Sequence, residues 1–591
     1  MTFPSDRSDD RVSRRAVLAA GSTGIAGSVA GCMDRIQRLI TGAASDQLSI
    51  TILTLPTDND RQAIKIARQL EENLKAVGIN VRIEPRADAE LLQTVLLEHD
   101  FDCYISRHPG GYDPDFLYET FHSKFAPEAG WQNPYGFVDT ELDKLLERQR
   151  STTGSEREEA IGEALDRLAQ THPIVPICVP DERRLVRTDR FAGWNDHHLG
   201  TRLGYLGLEP DENDFEDEVV LNAVITDSSP SRNINPLAAA YRYRGPFVDL
   251  LYDSVATRDD DELRPWLAES WEWDESVATI TLRSNCLFHD GEPVTADDVK
   301  FTYDLLDDTS LGDRDGQSPA PRYRGVGDAV ESVTAVDDRT VRMRFGTSDE
   351  VGELAFTVPI LPKHIWKTAV EDRLENGAEP IQGTWDLVTT EEIPPIGSGP
   401  FALTEQEPRS HLRFERFDDH FTRRGYVDLP EPRVDEIAFH VEPNSSAAVD
   451  QLEAGNADVT GTILGSETVG DVPDGLELVE SESWTFYHIG FNVRNSPFSN
   501  LHFRRNVARL IDRESLVADV FNEQASPTVT PVTGEWVPDD LEWDGSAPYA
   551  PFFRDETNSG DTGELDIERA KREFERHGFQ YDEDGEYIVR S

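Results

Sequence analysis

From residue 47 onward the apolar positions alternate between two periods. The run LSITILTL at 48–55 predicts a buried strand, and Ile64, Ala67, Leu70, Leu74 and Val77 then recur at helical spacing over 61–77, with Gly78 as the stop. GINVRI at 78–83 predicts a second strand, 91–98 a further helix, FDCYIS at 101–106 a short strand, and 139–150 with 155–170 a helical pair. Strands interleaved with helices point to an α/β organisation with parallel strands. The run IVPICV at 174–179 is punctuated by Pro173, Pro176 and Pro180, which favours an edge or crossover strand over a central one.

A polar, acidic stretch at 209–218 can bury nothing and reads as the core of a linker over 205–218. After it a second unit opens with VVLNAVI at 219–225 and is richer in short strands, among them ATITLR, TVRMRF and DEIAFHV. It ends in a helix over 567–577 and a turn at 582–585. Asp290 and Gly291 mark another turn, and Thr295 followed by Asp297 and Asp298 marks a helix N-terminus with acid in its first turn.

Composition narrows the partners. The 591 residues carry 113 Asp and Glu against 57 Lys and Arg, a formal net charge of -56, so nucleic acid is not an expected partner. Self-repulsion on that scale suits molar salt, where the Debye length shrinks from about 10 Å to about 3 Å, and the surface reads as halophilic.

At the N-terminus Arg14 and Arg15 precede a short uncharged run that ends in Val29-Ala30-Gly31-Cys32. Twin arginines before a brief apolar segment predict Tat export. The small residues before Cys32 form a lipobox-like site, so Cys32 is the expected lipid anchor. Cys103, Cys178 and Cys286 allow one disulfide at most and show no metal-ligand spacing. The adjacent pair His197-His198 cannot share one face of a helix or strand, and solvent exposure is expected there instead of a metal. No nucleophile elbow, P-loop, dinucleotide fingerprint or zincin motif is present, so no enzymatic activity and no cofactor are expected.

Several stretches of the second unit occur in the order of one family: LRPWLAESWEW, ITLRSNCLFHDGEPVTADDVKFTYDLL, ILPKHIW, IGSGPF, VDEIAFHV, QLEAGNADV, IGFNVRNSPFSNLHFRRNVARLIDRESLV and AKREFERHGF. In these the chain resembles the family 5 extracellular solute-binding proteins of the dipeptide, oligopeptide and nickel class. The resemblance implies a two-lobed α/β fold like that of the periplasmic binding proteins, type II and peptide-binding, with a ligand cleft between the lobes. It implies binding of a peptide or other small polar solute by lobe closure, and delivery to an ABC permease and its ATPase from the extracellular face of the membrane. A surface sensor or interaction module that keeps the fold without uptake is the alternative, and an extracellular hydrolase a more distant one.

Residues 47–195 resemble material that ordinary members carry last, so a circular permutation is expected. The divisions are then a signal at 1–32, a tether at 33–46, part of the second lobe at 47–175, and a crossover at 176–204. The linker at 205–218, lobe one at 219–491 and the rest of the second lobe at 492–591 complete the chain.

Expected ligand contacts are Arg107, His108, Gly110, Tyr112 and Asp113 on a Gly-Gly loop, Asn235, Tyr241 and Tyr243 after the first strand of lobe one, and Trp484 and Tyr487 before the second crossover. Gly110 stands where the peptide-binding members carry an Asp that meets the ligand's amino group. In WTFYHIGF, Trp484, Phe486 and His488 share one face and Thr485 and Tyr487 the other, and the alternation leaves open which face is core.

Overall fold

The computed structural model describes residues 47–589 apart from 58, 212–217, 239–245, 260–261, 313–317, 381–384, 390, 466–471, 473, 547 and 554–562. The export segment, Cys32, Tyr241 and Tyr243 lie outside the described residues.

The helix expected after the first strand spans Arg61–Ala76, and the Asp60 side chain caps it by accepting from the Ala63 N–H at 2.9 Å. Its buried face, Ala63, Ile64, Ile66, Ala67, Leu70 and Leu74, is the one the apolar spacing marked. Gly78 ends it at φ +87°, where a Cβ would lie 2.6 Å from the Glu586 carbonyl oxygen. The glycine therefore also lets the last turn of the described chain approach the first. Beside it the Leu48 N–H donates to the Ile588 carbonyl at 2.7 Å.

One six-stranded sheet runs in the order Asn80–Pro85, Ser49–Thr54, Cys103–His108, Phe486–Phe491, Ile174–Pro180, Ala525–Pro527. The first three strands are parallel, whereas Phe486–Phe491 runs antiparallel to both of its neighbours. The sheet is therefore mixed, not parallel throughout. Residues 47–180 and the stretch from 486 onward thus build one lobe, and the boundary expected at 491 moves upstream. The strand of Tyr487, Phe486–Phe491, belongs to this second lobe, where Cys103–His108 and Ile174–Pro180 pair with it on its two sides, and Trp484 precedes it in the crossing.

Both faces of that strand are core. Phe486 packs with Tyr104 and Tyr135, and Tyr487, Ile489 and Phe491 pack with Ile52, Ile105 and Phe521. Ile174–Pro180 is likewise paired on both sides, contrary to the edge expectation. A register shift between Tyr487 and His488, opposite Cys178 and Pro176, makes room for the proline that lacks a donor.

Lobe one holds a seven-stranded sheet in the order Phe401–Glu407, His411–Arg416, Glu436–Val441, Val220–Ile225, Val459–Thr460, Glu182–Arg187, Leu476–Ser481. A four-stranded antiparallel sheet, from Ala268–Asp274 to Thr340–Phe345, forms a subdomain on it. The helix N-terminus expected at Thr295 is present and takes the form of a capping box, with Asp298 reciprocating. Tyr205, Leu206 and Leu208 are buried in this lobe's core, so residues 205–208 are packed structure and not linker. Apolar side chains there outweigh the acid that follows them.

The chain passes between the lobes at Asp181 and again at 482–485. Glu182–Arg187 and Leu476–Ser481 pair antiparallel up to these points, so the two connections lie side by side.

Candidate ligand-binding cleft

A cavity of about 1610 Å³ lies between the lobes. Its second-lobe wall is the N-terminal part of helix Arg61–Ala76 with Arg107, Gly110 and Tyr112. Its floor is the pair of crossings, which bring in Glu182, Arg184 and Trp484. Across from them lobe one contributes Arg258, Arg322, Tyr323 and the turn at 226–230.

The loop after Cys103–His108 is fixed by its own backbone. Gly110 adopts φ +62° and its N–H donates to His108 Nδ1 at 2.9 Å. A Cβ on Gly110 would come within 1.7 Å of the Trp484 carbonyl oxygen, so no side chain fits there. The aspartate that the family resemblance places at this position is excluded by close packing against the crossing strand.

That packing presents a chain of rings to the cleft. Tyr112 meets Trp484 edge-on at 6.2 Å, Trp484 stacks on His198 at 4.4 Å, and the Arg258 guanidinium sits 3.9 Å above the Tyr112 ring. His198 is held by the Glu482 carbonyl at 3.1 Å, and burial pushes its pKa below the ordinary histidine value. His197 faces Asp259 at 2.9 Å. The two histidines are partly buried and separately engaged, which corrects the expectation of solvent exposure. No group of His, Cys, Asp and Glu among the described residues is arranged to hold a metal ion.

Asp60 and Asp88 are acids of the second-lobe wall, and Asp60 stands at the helix N-terminus. Tyr487 donates to it at 3.1 Å, and burial pushes its carboxyl above the ordinary range despite the Ala63 N–H and the Arg107 charge. Arg184 is 4% exposed, pairs with Glu182 at 2.6 Å, and keeps Nε and Nη1 without a hydrogen-bond partner.

Of the expected contacts, Arg107, Gly110, Tyr112, Trp484 and Tyr487 line the cleft. His108 does not: it is buried between Phe486 and Trp131. Asp113 is drawn away by Arg157 at 2.5 Å and accepts from the Asp115 N–H at 2.8 Å. Asn235 turns into lobe one, donating to the Leu387 carbonyl and accepting from the Leu237 N–H, both at 2.9 Å. Each stands near a strand end, and each is engaged by local backbone groups, packed rings or an ion pair. Asp60, Arg184, His198, Arg258 and Arg322 were not anticipated. Only the charged triplet Glu182-Arg183-Arg184 after Pro180 hinted at them.

Away from the crossings the lobes meet in an ionic seam. Arg150 binds Asp115 at 2.8 Å and the Gly325 carbonyl at 2.8 Å, Lys124 binds Asp328 at 2.6 Å, and Arg324 binds Glu128 at 2.9 Å. Glu119 accepts from the Gly325 N–H at 2.7 Å. Cys103, Cys178 and Cys286 are buried free thiols.

Residues 262–589 match the model of the bacterial extracellular solute-binding proteins, family 5 Middle. The chain belongs to that family. It is 29% identical over 283 residues to the oligopeptide-binding protein AppA of Bacillus subtilis, an alignment covering 46% of this chain and 47% of AppA. The chain thus spans about half the length of the curated relatives it matches. Among solved structures, NikZ from Campylobacter jejuni in complex with Ni(L-His) aligns at 19% identity with TM-score 0.44, covering 63% of this chain and 65% of NikZ. AppA from Bacillus subtilis in complex with a nonapeptide aligns at 20% identity with TM-score 0.42, covering 63% and 66%. No helix among the described residues is long and apolar enough to cross a membrane.

Proposed function

We propose that this chain is the extracellular substrate-binding component of an ABC importer for peptides or similar small polar solutes, binding by lobe closure without covalent chemistry. The carrying observation is the cavity of about 1610 Å³ between two lobes that the chain links through paired crossings, larger than the roughly 300–1,000 Å³ of a drug-sized pocket. Adjacent crossings concentrate the motion at Asp181 and 482–485, which leaves each sheet intact as the walls approach. The relatives named as oligopeptide-binding support the ligand class. With Gly110 unable to carry an acid, Asp60 is the group in the second-lobe wall that would meet a ligand amine.

The test is small-angle scattering in molar KCl with panels of short peptides and oligosaccharides. A fall in radius of gyration with at least one ligand is expected, and an unchanged radius with every member would overturn the reading.

The finer features belong to the same proposal. Twin arginines and Cys32 support Tat export and lipid anchoring outside the cell, so Cys32→Ser should release the protein into the medium. The charge of -56 supports halophilic adaptation. Segment order supports a circular permutation of the family arrangement, since strands at 49–54 and 103–108 share a sheet with 486–491 although they precede the family-matched span. A chain rearranged to begin at 219 and to place 47–205 after the present C-terminal segment should fold and bind alike.

A further inference from the structure

The cleft inverts the charge balance of the molecule. The whole chain has 57 Lys and Arg against 113 Asp and Glu, yet among the described residues the cavity lining has ten basic against seven acidic side chains. Removing Arg202, whose charge is answered by Asp253 at 3.0 Å, still leaves cations in the majority.

Their placement follows the two walls. Arg61, Lys65 and Arg68 fall on one face of the second-lobe helix at spacings of four and three. Arg61 occupies the first turn, next to the N-cap Asp60. Opposite them lobe one offers Arg232, Arg258, Arg322 and Arg409. Arg184, on strand Glu182–Arg187 just past the crossing and paired with Glu182 at 2.6 Å, keeps two buried nitrogens, and Arg322 one, without a hydrogen-bond partner.

Like charges on facing walls repel as the walls approach, and more strongly once water leaves the gap. A neutral or cationic ligand leaves that repulsion in place, whereas an anion between the walls turns it into attraction. Guanidinium groups with free N–H edges suit carboxylate or phosphate oxygens.

We propose that the cleft selects a small solute carrying more than one anionic group, carboxylate or phosphate, and that such a ligand is what allows the cationic walls to close. The proposal rests on the solute-binding reading above and names its ligand class.

The experiment is calorimetric titration of the full chain in molar KCl with tri-glutamate, pyrophosphate, trialanine and trilysine, each followed by scattering. Tri-glutamate or pyrophosphate should bind at least about tenfold more tightly than trialanine, the effect of one charge-assisted contact, with trilysine weakest. Which of the two anions wins decides between carboxylate and phosphate. Arg322→Gln should weaken the multiply charged anion by about tenfold, more than it weakens trialanine, whose one carboxylate is answered by its own amine. The double variant Arg184→Gln with Glu182→Gln should do the same without leaving a buried charge alone. Equal or tighter binding of trialanine or trilysine overturns the charge assignment while the closing cleft stands. Silence from all four probes overturns the assignment, and silence of the wider peptide and oligosaccharide panel overturns the binding reading too.

Discussion

At the seam between helix Thr140–Ser151 and the turn Arg324–Asp328, the guanidinium groups of Arg150 and Arg324 meet carboxylates at 2.8 and 2.9 Å. At the cleft, Arg184 and Arg322 retain nitrogens with no hydrogen-bond partner. The residue type is the same in both places, and the lobes face each other in both. What differs is where the second half of each pair comes from. In the seam the protein supplies it, and the contact is complete within the chain. In the cleft the protein supplies it only in part: Arg184 meets Glu182 at 2.6 Å, yet it and Arg322 keep N–H groups that a ligand can engage.

The largest effect should come from unbalancing the seam. Asp115→Ala leaves Arg150 buried beside Gln149 with its main carboxylate gone, and breaking a buried pair from one side destabilises by about 3–5 kcal/mol. Denaturant unfolding reads this directly, and an unmoved midpoint would show that the seam is not saturated as described.

Gly110→Ala comes next. Its Cβ would overlap the Trp484 carbonyl at φ +62°, and overpacking of this kind destabilises by about 1–3 kcal/mol. The melt should shift together with tryptophan fluorescence, because the displaced crossing segment carries Trp484. A shift without the spectral change would place the strain elsewhere.

A third set of cations sharpens the contrast through pH. Arg504, Arg505 and Arg513 donate to backbone carbonyls of 170–172, Pro176, Phe498 and Thr528, and among the described residues no carboxylate forms an ion pair with them. Burial and these cations lower His172 to about 3, and burial alone lowers His488 to about 3. Both histidines titrate near 6.5 when unfolded, so between pH 6.5 and 3 the unfolded chain binds more protons than the folded one. Their contribution is therefore full above pH 6.5 and is lost as pH falls toward 3, by about 1.4 kcal/mol per pH unit for each histidine. Unfolding midpoints measured down a pH series should fall below 6.5, and His488→Phe should reduce the slope by one proton's worth.

The smallest effect belongs to the cleft itself. Arg322→Gln should move stability by no more than about 0.5 kcal/mol, since the side chain has little in the protein to lose. A drop comparable with that of Asp115→Ala would erase the distinction between the two regions.

Sequence periodicity located the elements well. The helix at Arg61–Ala76, its cap and its buried face follow from local spacing, as does the turn at Gly585 with φ +68°. Partnership was less legible. WTFYHIGF was readable as a strand, but alternation specifies faces and not neighbours, so its lobe was misassigned and both of its faces proved to be core. The cleft divided in the same way. Gly110, Tyr112 and Trp484 were accessible to reasoning because a Gly-Gly loop after a strand and a strand before a crossing are local features. Arg258, Arg322 and Arg184 come from distant segments, and in an acidic chain a single arginine is expected to find a carboxylate. Whether it does depends on three-dimensional neighbours.

The insertion of Phe486–Phe491 between Cys103–His108 and Ile174–Pro180 also bears on biogenesis. During translation the flanking strands leave the ribosome some 300 residues before the strand that joins them, as their positions show. Until it arrives, each presents an open edge able to pair with another chain. Heterologous production should therefore reward slow synthesis or a chaperone that shields these edges, and nascent chains truncated before residue 486 should aggregate more readily than those that extend past 491.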